Sequence, residues 1–191
     1  MCIRDSPNYV QWLVDAAAKH PEASIFQPGV VVIDENNGLS NTLVEQTKAF
    51  YRPKGEAVLQ GEELATSLLR GAWFYFPSLG WRKDAIVGTG FREGLNVIQD
   101  MALILDITMR GGSLYYDPQI AFMYRRHGGS DSSWRALEGT RFEEERRYYK
   151  MCIRDSPRSN QHSPPPSAPA HTTCHQHKNA RVPHGVPGQF L

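Results

Sequence analysis

The chain has 191 residues, 40% of them hydrophobic and 21% charged, with 21 Lys plus Arg against 20 Asp plus Glu. A heptapeptide, Met-Cys-Ile-Arg-Asp-Ser-Pro, stands at 1–7 and again at 151–157. Setting aside the five basic and two acidic residues outside 7–150 leaves 16 against 18 in between. This slightly acidic balance gives no general affinity for nucleic acid or anionic membranes. All three cysteines (Cys2, Cys152, Cys174) fall outside 7–150, which excludes disulfides and thiolate metal sites within it.

The repeated heptapeptide is too short for a repeat architecture, whose units are whole supersecondary elements of some 20–50 residues. It resembles the translation of a transposase mosaic-end adapter from DNA library preparation. Both copies are therefore read as scars, and the divisions expected are 1–6 (scar), 7–150 (folded segment) and 151–191 (scar plus tail). With no bilayer-length apolar run and no signal-peptide pattern, the segment reads as soluble and cytoplasmic, or peripheral at the inner membrane.

In chain order, Tyr9, Leu13, Ala16 and Ala17 mark one face of a helix entered at Pro7 and ended by His20-Pro21. Val30–Ile33 is an apolar run between turn residues and predicts a buried strand. Leu43–Phe50 predicts a short helix. Leu64, Leu68 and Leu69 give helical spacing over Gly61–Arg70, with Glu62 and Glu63 suited to its first turn. The aromatic stretch 72–82 reads first as core and strand; the sharper alternative is that some of its rings line a sugar subsite.

A helical turn at Lys83–Ile86 precedes Gly88, Gly90 and Gly94, which allow positive φ and close approach of backbone to a ligand. Their spacing is not a dinucleotide fingerprint. Residues 101–109 are apolar around most of a helix and predict its burial. Asp100 falls in the first turn, where a carboxylate caps free N–H groups and complements the helix dipole. Ser113–Tyr116, a turn at Asp117-Pro118, and Ile120–Tyr124 predict a hairpin or two short strands. Arg125, Arg126 and His127 then lead into a Gly/Ser-rich turn that could face diphosphate oxygens. Residues 134–150 predict a charged helix with a solvated face. The Pro- and His-rich tail from 158 to 191 has the composition of disorder.

Taken together, Pro-x-Tyr at 7–9, His-Pro-Glu-Ala at 20–23, Gly-x-Trp-x-Tyr-Phe-Pro-Ser at 71–78, Trp-Arg at 81–82, Gly-Phe-Arg-x-Gly-Leu at 90–95, Gln-Asp at 99–100, and Tyr-Arg-Arg-His with Ser-x-Ser-Ser at 124–133 carry a family likeness. In order and spacing, Pro7 to Lys150 resembles the C-terminal part of a bacterial family 2 glycosyltransferase. The resemblance implies an α/β fold, the C-terminal half of an incomplete GT-A (Rossmann-like) domain.

It further implies transfer of a sugar from a nucleotide-sugar donor to an acceptor hydroxyl, with inversion. Asp100 becomes the general base rather than a cap, because proton removal needs a carboxylate within hydrogen-bond reach of the nucleophile. Trp73, Gly90, Phe91, Arg92, Gln99, Arg125 and Arg126 correspond to positions that border the substrates. His127 corresponds to a histidine that helps hold a divalent metal, Mg or Mn, or the diphosphate. The family's Asp-x-Asp motif and nucleotide-binding strands have no counterpart here, and Gln-Asp stands where Glu-Asp is common. The isolated chain is accordingly expected to be inactive, with an exposed sheet edge that favours spurious association. The acceptor class, glycan, lipid-linked glycan or protein, is not legible. A non-catalytic carbohydrate-binding or interaction module is the alternative reading; a nucleic-acid binder is disfavoured by the charge balance.

Overall fold

The computed structural model describes residues 4–5, 7–126 and 139–155. His127, the Gly/Ser turn, Trp134 and the tail after Asp155 lie outside the described residues. The elements are β1 (Arg4–Asp5), α1 (Tyr9–Lys19), β2 (Ile25–Ile33), α2 (Leu43–Tyr51), β3 (Ala57–Gln60), α3 (Gly61–Gly71), a 3-10 turn (Phe76–Ser78), β4 (Gly80–Trp81), α4 (Lys83–Val87), α5 (Gln99–Met109), β5 (Ser113–Arg125) and α6 (Thr140–Asp155).

The chain is α/β, with a mixed sheet built on β2 and β5. These two run parallel, β4 pairs antiparallel with β2, and β1 and β3 pair antiparallel with opposite ends of β5. Parallel pairing fits their sequences, since parallel strands are covered on both faces and read as apolar runs rather than alternations. Side-chain alternation divides the core accordingly. Phe26, Tyr115 and Ala121 meet Trp12, Ala16 and Ala17 of α1 on one face. Ile25, Leu114 and Tyr116 meet α3 and α5 on the other, where Met101–Thr108 of α5 are all buried. No described helix is long and apolar enough to cross a membrane.

Three expectations change. The hairpin at 113–124 is one 13-residue strand, because Asp117-Pro118 forms a bulge instead of a turn: Gln27 pairs with Tyr116, yet Gly29 pairs with Ile120. Proline cannot donate to a ladder and is tolerated at a bulge, and both Pro118 and Pro28 fall in the unpaired stretch where the register shifts. Helix α1 begins at Tyr9, with Pro7 and Asn8 in the preceding turn. Finally, α6 is docked as well as charged. Tyr148 is fully buried in the α5 side of the core, and Glu144 accepts hydrogen bonds from the N–H groups of Asn96 (2.5 Å) and Val97 (3.0 Å), just before α5.

Both heptapeptide copies touch this fold. Arg4 and Asp5 pair with Met123 and Phe122, and α6 continues through Met151–Asp155.

Candidate functional site

Helix α5 is the platform. Its apolar circumference fixes it against α3 and the sheet, so its first turn is a rigid place for Gln99 and Asp100. Asp100 is partly buried and its Oδ1 accepts from the Met101 amide at 2.7 Å, as a first-turn carboxylate should. Gln99 is exposed beside it.

The loop that delivers this turn has the conformation its glycines predict, with φ +66 at Gly90 and φ +76 at Gly94. Arg110, at the far end of α5, holds the loop's start by donating to the Gly88 carbonyl and to Thr89 Oγ1 (3.2 Å). Phe91 stands 52% exposed between the two glycines, edge to face with Phe76 at 6.1 Å. The exposed rings near the loop are therefore Phe91 and Phe76.

Trp73 is elsewhere. It is 1% exposed, packs on Tyr116 and donates its indole N–H to Ser67 Oγ at 3.0 Å, so neither ring face is open to a sugar. The core reading of the aromatic stretch is the one the structure takes for Trp73, Phe74, Tyr75, Leu79 and Trp81. Trp73 is corrected here from a substrate contact to a core residue.

The arginines are also committed within the fold. Arg92 makes a two-pronged pair with the buried Asp106, Nε to Oδ2 at 2.7 Å and Nη2 to Oδ1 at 2.5 Å, and its guanidinium lies 5.4 Å from the centre of the Tyr148 ring. A carboxylate on the apolar circumference of α5 is costly unless paired this way. Loss of activity on replacing Arg92 would thus report a loosened fold as readily as lost substrate contact. Arg125 donates to the carbonyls of Asp34 and Glu35 and to Asn37 Oδ1, tying the end of β5 to the turn after β2.

Arg126 belongs to a buried polar cluster that the sequence does not announce. Its Nε lies 2.6 Å from Glu45 Oε1, and Glu45 Oε2 accepts a short hydrogen bond from the Tyr75 hydroxyl. Lys48, one turn along α2 from Glu45, donates to the carbonyls of Ala72 (2.6 Å) and Phe74 (2.7 Å). Gln27 completes the layer, donating to Ser78 Oγ and accepting from the Tyr75 amide. Glu45 sits between Val44 and Gln46 in an ordinary helical stretch, so no spacing signals its burial.

Burial first, and the Glu45 hydrogen bond second, push the Tyr75 hydroxyl well above its ordinary range. Burial likewise raises Tyr115 and Tyr116. A phenol held protonated in the folded chain contributes stability that is intact below the unfolded value near pH ~10 and is lost as pH rises beyond it. Denaturant titrations between pH ~9 and ~11.5 should therefore show stability falling on the alkaline side, with the slope from Tyr75 steepening through pH ~10 towards a limit of about 1.4 kcal/mol per pH unit. An unchanged alkaline slope in Tyr75→Phe would reject this assignment.

Among the described residues, no group of three or more His, Cys, Asp or Glu side chains is placed to hold a metal ion. His127 is outside them, so a divalent-metal site is not assembled from the residues in view. Comparison of the chain with protein-family models, curated proteins and solved structures finds no match.

Proposed function

We propose that residues 7–150 form the acceptor side of an inverting glycosyltransferase, with Asp100 as general base. The reading rests on the family resemblance of the motifs, and the observation that supports it best is the placement of Asp100. A partly buried carboxylate stands on the first turn of a buried helix, directly after a loop whose Gly90 and Gly94 adopt positive φ and whose Phe91 is exposed. Such an arrangement suits proton abstraction from a hydroxyl on a sugar laid along the loop.

In this scheme the acceptor oxygen attacks the anomeric carbon of the nucleotide sugar as its proton passes to Asp100, and the nucleoside diphosphate leaves from the opposite face. A divalent Mg or Mn would neutralise charge on that leaving group. The described residues do not form its site; what they contribute is the base, the loop and the exposed rings. Arg125 ends β5 and Arg126 follows it; the hydrogen bonds of Arg125 to the turn after β2 and the ion pair of Arg126 with Glu45 give them a positioning role in the same reading.

The test is to read the source DNA across both Met-Cys-Ile-Arg-Asp-Ser junctions, express the frame that continues upstream of Pro7, and measure nucleoside diphosphate release from nucleotide sugars. Release that depends on an added acceptor supports the proposal. A frame without an Asp-x-Asp motif, giving no release with any nucleotide sugar, rejects it. The carbohydrate-binding alternative draws on one observation, the exposed Phe76–Phe91 pair, since sugars stack their C–H faces on aromatic rings. It is favoured by glycan binding without turnover.

A further inference from the structure

Helix α2 is built inside out. Its two charged residues, Glu45 and Lys48, face the protein, where Tyr75, Arg126 and the carbonyls of Ala72 and Phe74 hold them. Its apolar residues face outward: Leu43 is 79% exposed, Val44 52%, Phe50 71% and Tyr51 39%. These four lie at i, i+1, i+7 and i+8, two apolar pairs on one side of the helix with the exposed Thr47 between them. Phe50 and Tyr51 also pack edge to face at 5.1 Å, forming a ready aromatic anchor. The other exposed residues of α2, Gln46, Thr47 and Ala49, are uncharged; of its two charged residues Glu45 is buried and Lys48 half-buried. An apolar side of this kind marks an interaction surface.

The rim identifies the partner. Beside Tyr51, an open depression of about 470 Å³ between α2 and α3 is lined by Glu62, Glu63 and Arg70. Acid and base thus border the Tyr51 end of this apolar side. A two-fold contact needs a patch complementary to itself, with an uncharged centre and both signs on its edge, so that the acid of one copy meets the base of the other. An anionic lipid surface fits less well, because an interfacial helix carries free basic residues along its polar side. Here Lys48 is turned inward, Arg52 lies over the Tyr116 ring and Lys54 is bonded to the Ala49 carbonyl. The Pro- and His-rich residues after 157 offer few aliphatic side chains to cover the stripe.

We propose that the α2 face is a two-fold interface between two copies of this chain, with Phe50 and Tyr51 at its centre and Glu62, Glu63 and Arg70 at its edge. Sedimentation velocity on the full chain across roughly 1–100 µM should show a concentration-dependent dimer. Phe50→Glu and, separately, Leu43→Glu should each weaken association at least about tenfold. Both side chains are mostly exposed, so the far-UV circular dichroism of each variant should match that of the parent. Arg70→Glu should also weaken the dimer, and Arg70→Glu with Glu62→Arg and Glu63→Arg should recover part of the loss. A monomer at every concentration overturns the proposal, whatever the variants do. So does a dimer indifferent to both stripe substitutions, which points to the sheet edge instead, or flotation with phosphatidylcholine or phosphatidylglycerol vesicles that Phe50→Glu abolishes. None of these outcomes bears on catalysis by Asp100.

Discussion

In the protein that carries the upstream frame, Asp100→Asn is expected to lower kcat by about 10²–10⁴, the usual worth of a positioned general base. The substitution keeps the shape of the side chain and an oxygen that can accept from the Met101 amide, so the first turn of α5 and the loop before it should survive. Only the ability to take a proton is lost. Because that proton moves in the transition state, the loss should fall on kcat, with KM for the donor little changed. A thousandfold loss corresponds to about 4 kcal/mol of transition-state stabilisation. The measurement is steady-state turnover with both substrates saturating, alongside thermal denaturation of each variant. Unchanged melting with the expected loss of rate supports the base. A variant within about twofold of the parent shows that Asp100 is what its position also permits, a helix-terminal carboxylate interacting with the dipole.

Those two readings of Asp100 show how far the sequence reaches. Local patterns identify α3 and α5, because leucine spacing and an unbroken apolar circumference are properties of the helix itself. Strand β3, Ala57–Gln60, escapes because four residues with one buried side chain carry no periodicity. Its existence depends on β5 being there to pair with. The docking of α6 escapes for the same reason. Glu144 reads as one charge among many until the N–H groups of Asn96 and Val97 are placed opposite it.

The candidate site divides along that line. Glycines report their own backbone, so Gly90 and Gly94 are legible as a loop of positive φ. Arginines do not report their partners. Arg125 and Arg126 read as available for diphosphate and Arg92 as bordering the substrates, yet all three are engaged by the chain itself, Arg92 by an aspartate fourteen residues away and Arg126 by the buried Glu45. Helix α2 is the extreme case. Its pattern of Leu43, Val44, Phe50 and Tyr51 points the wrong face inward, because hydrogen bonding of Glu45 and Lys48 to groups from distant segments outweighs burial of the apolar stripe.

Gly29→Ala is expected to destabilise the fold by about 3 kcal/mol, at the upper end of overpacking effects. Gly29 lies where β2 and β5 change register, and a Cβ there would press on the Pro118 carbonyl oxygen and lie 2.9 Å from the carbonyl carbon and oxygen of Gln119. These are main-chain atoms of the central strand pair, so no rotamer change moves them aside. Relief requires the strands to part at the bulge, which threatens the pairing of Val30–Ile33 with Phe122–Arg125. For a chain of this size the loss corresponds to a fall in Tm of roughly 6–12 °C. Truncating Gln119 to alanine should rescue nothing, since the obstacle is its carbonyl and not its side chain. Gly90→Ala is the contrasting control: nothing lies within 4 Å of its added Cβ, but φ is +66, so the cost should be about 1–2 kcal/mol of backbone strain with no effect on the sheet. Urea denaturation of the three variants separates the two mechanisms. Equal losses for Gly29→Ala and Gly90→Ala, or rescue by Gln119→Ala, would place the constraint in backbone conformation or side-chain packing rather than in the bulge between β2 and β5.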